Sequence, residues 1–220
     1  MLRMSSRSSR RFSAVALFTL LVPVLLIAGK TFVKPVAKTA FNYPAHDFHR
    51  DEKVSIAADP YDNPEKAKIF TINFAEHGFL PIFFIVTNDG DQPVSIANMQ
   101  IKLITGNRSK LTPIESGDLY RRLSNPQAKT SSNIPLPFPR KVKGGVTKQQ
   151  MDEIESSQFA ARAVEPHTTQ SGFLFFDVAD LNAPLRNATI DISGVADAKG
   201  NELLFFEIPM DKYLNTPVNP

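Results

Sequence analysis

Three short runs are apolar at every position, and they constrain this chain more than any other feature: Ile82–Val86, Phe173–Phe176 and Leu203–Phe206. Each is bounded by turn residues and rich in Phe, Ile and Val, so each reads as a strand. A strand in an antiparallel sheet normally keeps one face wet and alternates apolar with polar. These runs do not alternate, so both of their faces require cover. The chain has 17 Phe, no Trp and no Cys. Phenylalanine therefore carries the aromatic burial, and no disulfide or thiolate contributes to fold or chemistry.

The remaining strand signals are shorter. They fall at Lys53–Ala58, Ala67–Phe74, Phe79–Asn88, Val94–Ile96, Met99–Thr105, His167–Val178, Leu185–Ser193 and Glu202–Ile208. Asn88-Asp89-Gly90-Asp91, Gly106-Asn107 and Ala198-Lys199-Gly200-Asn201 supply turns between them. Neither a strand–helix alternation nor an internal repeat is visible. The pattern predicts a mainly β fold, an antiparallel immunoglobulin-like β-sandwich over residues 51–210. Phe84, Val86, Phe173, Phe175 and Phe205 are the expected core positions.

Residues 112–166 depart from this pattern and read as a long insertion carrying two short helices. Leu119, Tyr120 and Leu123 make an amphipathic turn within Glu115–Ser124. Thr147–Gln150 has the form of a capping box, opening a second helix to about Ala160 with Met151, Ile154 and Phe159 on one arc. This helix is expected to lay that arc on the outer side of an apolar strand. A partner surface or a second subunit is the rival cover. Between the helices, Asn133–Arg140 has prolines at alternate positions, which enforces an extended chain.

The net charge of +3 divides unevenly. Arg3, Arg7, Arg10 and Arg11 precede an uncharged stretch, residues 12–29, and no acid lies among the first 29 residues. Setting those four aside leaves 21 basic residues against 22 acidic ones, a net of −1. The remainder lacks the excess of positive charge that nucleic-acid binding requires. A basic segment followed by an apolar one is the form of a secretory signal or membrane anchor, so residues 1–29 are expected to direct export. The expected location is periplasmic or otherwise extracytoplasmic, with an inner-membrane tether at residues 12–29 if the segment is retained. Residues 30–50 read as a polar arm or stalk pinned by aromatic residues, and 211–220 as a flexible tail.

The densest set of chemically versatile side chains is His46-Asp47-Phe48-His49-Arg50-Asp51-Glu52. His46, Asp47, His49 and Asp51 are candidate ligands for zinc or another divalent ion. His46 and His49 share a face only if the stretch is helical, and the competing reading is a solvated arm. A calcium loop at Asn88–Asp91 fails because Ile96 stands where a glutamate is needed. No nucleophile elbow, phosphate loop or dinucleotide fingerprint is present. No catalytic residue and no cofactor is assigned.

Residues 77–103, HGFLPIFFIVTNDGDQPVSIANMQIKL, and Ser171–Val178, SGFLFFDV, resemble a family of uncharacterised exported bacterial proteins. The shared form is an aromatic strand, an N-x-G-D-x-P-V turn filled here by Asn88, Gly90, Asp91, Pro93 and Val94, and a later G-F-L-F-F strand. The resemblance implies an immunoglobulin-like sandwich and no catalytic residue. The functional expectation is an exported, envelope-associated binding or structural module. It would meet a protein partner or a second copy of itself, reach the membrane through its N-terminal segment, and bind no nucleic acid. The alternative is a metal-dependent or hydrolytic extracytoplasmic enzyme using His46–Glu52.

Overall fold

The computed structural model describes residues 31–125, 145–203 and 205–216. In chain order its elements are β1 (His46–His49), β2 (Val54–Pro60), α1 (Pro64–Ala67), β3 (Phe79–Asn88), β4 (Val94–Ser95), β5 (Gln100–Ile104), β6 (Lys110–Leu111), α2 (Ser116–Ser124), α3 (Lys148–Ser157), β7 (Ala163–Val164), β8 (Thr168–Asp177), β9 (Thr189–Ser193), β10 (Phe206–Pro209) and α4 (Asp211–Leu214). The described fold is mainly β. One antiparallel sheet runs β1-β2-β3-β8, a second runs β10-β9-β5-β6, and β4 pairs with β7.

All ten residues of β3 are buried. Side chains alternate across a strand, so its residues feed two separate cores. Leu80, Ile82, Phe84 and Val86 face the second sheet and meet Leu103, Ile190, Ile192, Phe206 and Ile208. Phe79, Phe83 and Ile85 face the other way, beside Phe173 and Phe175 of β8. The register pairs Ile82 with Leu174 and Phe83 with Phe173, so the two strands present matched apolar rows on each face. Both faces of the β1-β2-β3-β8 sheet are thus covered.

The cover on the second face comes from the chain itself. Leu119 and Leu123 of α2, Ile154 of α3, and Phe70, Ile72 and Phe74 of the stretch after α1 are all buried there. Rings cluster around Phe173, with Phe70 and Tyr61 at 4.9 Å and Phe83 at 5.0 Å between centroids. These separations suit edge-on and tilted aromatic pairing. The expected cover by the insertion helices is therefore present, but the expected arc divides. Ile154 is fully buried, whereas Met151 is 40% exposed. Phe159 lies beyond the helix end and packs edge-on against Phe84, 5.1 Å away, in the core between the sheets.

That division follows from the path of the chain. After α3 the backbone passes the free edge of β8, with Gln158 bridging Phe173 in parallel and Phe159 N donating to Phe173 O at 3.1 Å. It crosses over Gly172, where an added Cβ would lie 2.4 Å from Phe159 Cα. Only glycine leaves room for backbone that close.

Several expectations are corrected. Ala67–Phe74 is not a strand: α1 ends at Ala67 and an irregular stretch follows. The amides of Thr71 and Ile72 donate to the Glu153 side chain rather than to a neighbouring strand, and those of Phe70 and Phe74 donate to the carbonyls of Ala67 and Ile72. Phe205 is 63% exposed, and Phe206 takes the core position, because β10 begins at Phe206 and alternates Phe206 with Ile208. The strand expected over Leu185–Ser193 begins at Thr189, after Asn187 turns the backbone at φ 52°. From Ala40 onward, the segment read as an arm carries a 3-10 turn and β1, which pairs with β2. Its anchors are Ala40 and Ala45, both fully buried, while Phe41 is 62% exposed. Residues 211–214 form α4. The α3 capping box is present as read, with Gln150 N donating to Thr147 Oγ1 and Thr147 N donating to Gln150 Oε1. Asn133–Arg140 and residues 12–29 lie outside the described residues.

Candidate functional site

The His46–Asp51 stretch is built as an edge strand and its turn, so its side chains separate. His46 and Phe48 point to the face that carries α2 and α3. Asp47 and His49 point toward β10. His46 Nδ1 donates to Tyr43 O at 2.6 Å, and its ring lies 5.0 Å from Phe41. Asp47 Oδ2 accepts from Glu207 N of β10 at 2.9 Å and stands 3.5 Å from His49 Nε2. The His49 ring stacks on Phe206 at 3.8 Å and 14°. Its Nδ1 is buried and has no hydrogen-bond partner among the described residues. Asp51 lies in the β1–β2 turn beside a shallow cavity of about 360 Å³ also lined by Glu52, Lys53, Asp91 and Asp197.

The strand geometry therefore splits the four candidate ligands among opposite faces of β1 and its turn. Among the described residues, no group of three or more His, Asp or Glu side chains is placed to hold a metal ion. The other histidines also stand apart. His167 Nε2 is 3.3 Å from Asp91, and His77 lies in the turn before β3.

A denser cluster forms where β2 meets α1. Asn63 caps α1, its side chain accepting from Glu65 N at 2.8 Å, and Pro64 begins the helix. The helix aims Lys66 back at β2. Its Nζ donates to Asp59 Oδ1 at 2.6 Å and to Pro60 O at 2.7 Å. The ammonium lies 4.7 Å from the Tyr61 ring centroid and 5.1 Å from that of Tyr213. Tyr213 from α4 donates to Asp62 Oδ1 at 2.6 Å and approaches Pro60 O at 3.3 Å.

Burial raises the Asp59 carboxyl above its ordinary range, against the pull of Lys66. Burial also raises the hydroxyls of Tyr61 and Tyr213, with the Asp59 charge adding in both cases and the Asp62 charge at Tyr213. Both phenols therefore stay protonated near neutrality. The arrangement fixes one cation between two rings and holds α1 and α4 to β2. A cavity of about 560 Å³ opens beside it, lined by Tyr61, Phe70, Thr71, Phe74 and Pro81 among others.

The buried carboxylate of Glu153 on α3 is the second polar anchor. Thr71 N donates to both of its oxygens at 3.0 Å, Ile72 N donates at 3.4 Å, and Thr71 Oγ1 also donates to it. Asn88, fully buried in the turn singled out from sequence, donates to Gln92 O at 2.7 Å and Val164 O at 3.0 Å and accepts from Gly90 N at 2.9 Å. The role of that turn is structural.

Sequence reading missed the Lys66 cluster and the Glu153 clamp. Asn63-Pro64 did signal a helix start, which would have placed Lys66 one turn on. Nothing local announces Tyr213 or Glu153, whose partners are more than 80 residues away. Comparison with family models, with curated proteins and with solved structures finds no match to this chain.

Proposed function

We propose that this chain is an exported module of the cell envelope that binds or scaffolds a protein partner, or a second copy of itself, without catalysing a reaction. The observation that carries this reading is the employment of Asp47 and His49. The side chains best suited to metal or acid–base chemistry instead join the edge of one sheet to the edge of the other, through Glu207 N and the Phe206 ring. The Lys66 cluster is likewise satisfied internally. Support for export is the basic segment followed by the uncharged stretch 12–29, together with the resemblance to an exported bacterial family. Support against nucleic acid as partner is the net charge of −1 beyond the first 29 residues.

The finer fold reading is an immunoglobulin-like sandwich. In that fold, chain-order strands A, B and E share one sheet and C, F and G the other. Taking β2, β3 and β8 as A, B and E, and β5, β9 and β10 as C, F and G, reproduces the observed neighbours. The strand β6 takes the C′ place beside C, and β1 is an addition at the A edge.

The test is topology in the cell. Protease added to intact bacterial spheroplasts producing the full chain should digest the domain while a cytoplasmic marker survives. Protection of the domain would overturn export. Elemental analysis of the purified chain tests the other half, since one tightly held metal ion per chain would favour the metal-dependent enzyme.

A further inference from the structure

Three cavities open at one end of the two sheets, where the chain passes from β2 to β3, from β5 to β6 and from β8 to β9. The first, of about 490 Å³, lies between the β5–β6 and β8–β9 loops, with Asn107, Asp180, Asn182, Arg186 and Asn187 in its walls. The second, of about 210 Å³, shares Ala183, Pro184 and Arg186 with the first and adds Asp62 and Leu214. The third is the cavity of about 560 Å³ beside Tyr61, which shares Asp62 with the second. Neighbouring cavities thus have walls in common, and together they trace a groove across this end of the domain. With packed sheets ~10 Å apart, the groove runs from the loop after β5, on the second sheet, to Phe70 and Phe74 in the core outside the first.

Asp47, Lys66, Asn88 and Glu153 all use their polar atoms within the fold. Around the first cavity the opposite holds. The side chains of Asp180, Asn182, Arg186 and Asn187 have no hydrogen-bond or ion-pair partner among the described residues. The walls that carry them are nevertheless fixed. A Cβ at Gly106 would lie 2.7 Å from Arg186 O, so the two loops touch through their backbones. Asn187 N donates to Asp211 Oδ1 of α4 at 3.2 Å, and Leu185 is buried. Arg108, Ala183 and Asn187 are three of the five non-glycine residues with positive φ among the described residues, and all three stand in these two loops. Such backbone persists where its surroundings over-determine it, and it gathers at ligand sites.

We propose that this groove binds a neutral oligosaccharide chain. One acid, one guanidinium and three amides line the first cavity, so it offers donors and acceptors without net charge. Planar carboxylate, guanidinium and amide groups each present two polar atoms side by side, the spacing that neighbouring hydroxyls of a sugar ring require. Leu181 and Pro184 beside them, and Tyr61 and Phe70 at the far end, supply apolar surface for the C–H faces of the rings. A peptide added as a strand is the poorer occupant, because it needs a run of free backbone groups at a sheet edge. Phe159 N and Ile114 N already donate to the edge of β8. Lys212 Nζ donates to His46 O on β1, β10 ends in Pro209, which has no N–H, and β6 has two residues. Asp62, Glu76 and Asp180 along the groove disfavour a phosphate-rich polymer. The groove belongs to the folded domain and holds whether or not the chain is exported.

The test is a nuclear magnetic resonance titration of the nitrogen-15-labelled full-length chain in a sugar-free detergent. Cellohexaose, maltohexaose and chitohexaose would be added separately, and a decaproline peptide in a fourth series, each to about 10 mM so that a millimolar Kd is reached. The expected result is a saturable shift of the Gly106, Asn182, Ala183 and Asn187 amides with at least one hexasaccharide. Arg186→Ala and Asn182→Ala should each weaken that binding about tenfold, the loss of roughly one hydrogen bond. Both side chains are exposed, so the melting temperature should not move. The matching disaccharide should bind about tenfold more weakly than the hexasaccharide, because it fills one cavity where the longer chain fills three. No saturable shift at these amides with any hexasaccharide overturns the proposal, as does binding that both substitutions leave unchanged. Equal affinity for the disaccharide and the hexasaccharide overturns the groove. Shifts with decaproline alone assign the site to an extended peptide and overturn the proposal as well.

Discussion

At the scale of single residues, the fold depends on a few positions where no other side chain fits. Gly172→Ala drives a methyl into the Phe159 backbone and should cost about 1–3 kcal/mol, as overpacking does. Gly117→Ala, with nothing within 4 Å in α2, should be neutral or stabilise by up to ~1 kcal/mol. Urea unfolding of the pair separates a steric effect from a propensity effect. Phe173→Ala should cost about 3–5 kcal/mol, and Phe205→Ala should stay within ~0.5 kcal/mol. Equal losses would contradict the register of β10. Residue burial was legible where an apolar run exceeds what one face can use, as at Phe83 and Phe84. It was not legible at Phe205 and Phe206, where adjacent identical residues give no cue to which one faces inward.

Elements are held by polar contacts that bridge distant segments. Glu153→Gln keeps the shape of the side chain but removes acceptor charge from the amides of Thr71 and Ile72. It should cost about 1–3 kcal/mol and speed hydrogen exchange at those two amides. The stretch around them was read as a strand because it is β-branched and aromatic, with Phe70, Ile72 and Phe74 among its residues. They do bury on one side, but the ladder partner is a carboxylate on α3, which no local pattern encodes. Arg122 of α2 donates to Asp177 at the end of β8 and lies 4.6 Å from the Phe79 ring centroid. That hydrogen bond lowers the Asp177 carboxyl below its ordinary range. A depressed carboxyl contributes stability that is present above its unfolded value, about 3.9, and is lost as pH falls through its folded value. Asp59, raised by burial, has the opposite sign: its contribution is present at low pH and is lost as pH rises through its folded value. Carbon-13 titration of the side-chain carboxyls should place Asp177 below and Asp59 above the ordinary aspartate. Asp177→Asn should flatten the acid limb of stability in proportion.

Across the whole molecule, two cores share one sheet. Phe84 and Phe83 are neighbours in β3 but belong to different cores, so neither core can open without stripping a face of the other's strands. Thermal unfolding followed by far-ultraviolet and near-ultraviolet circular dichroism should therefore trace coincident curves, and two separated transitions would contradict the shared sheet. Removal of residues 112–166 with a short bridge should uncover Phe83, Phe173 and Phe175 and cause aggregation. A soluble, equally stable deletion would show the cover to be dispensable. The need for cover on both faces was legible in the apolar runs, and its source was legible in the capping box that opens α3. The contribution of the stretch after α1 was not legible, because its irregular path is set by contacts with distant elements. The same architecture sets an order of events during synthesis. β8 begins eighty residues after β3 ends, and at roughly 5–20 residues per second this interval lasts on the order of 4–16 s. Until α3 and then β8 emerge, the nascent β2–β3 pair lacks its cover and its neighbour strand. On the export route proposed above, the chain would travel with its most apolar segment uncovered, which would call for a holding chaperone between ribosome and membrane.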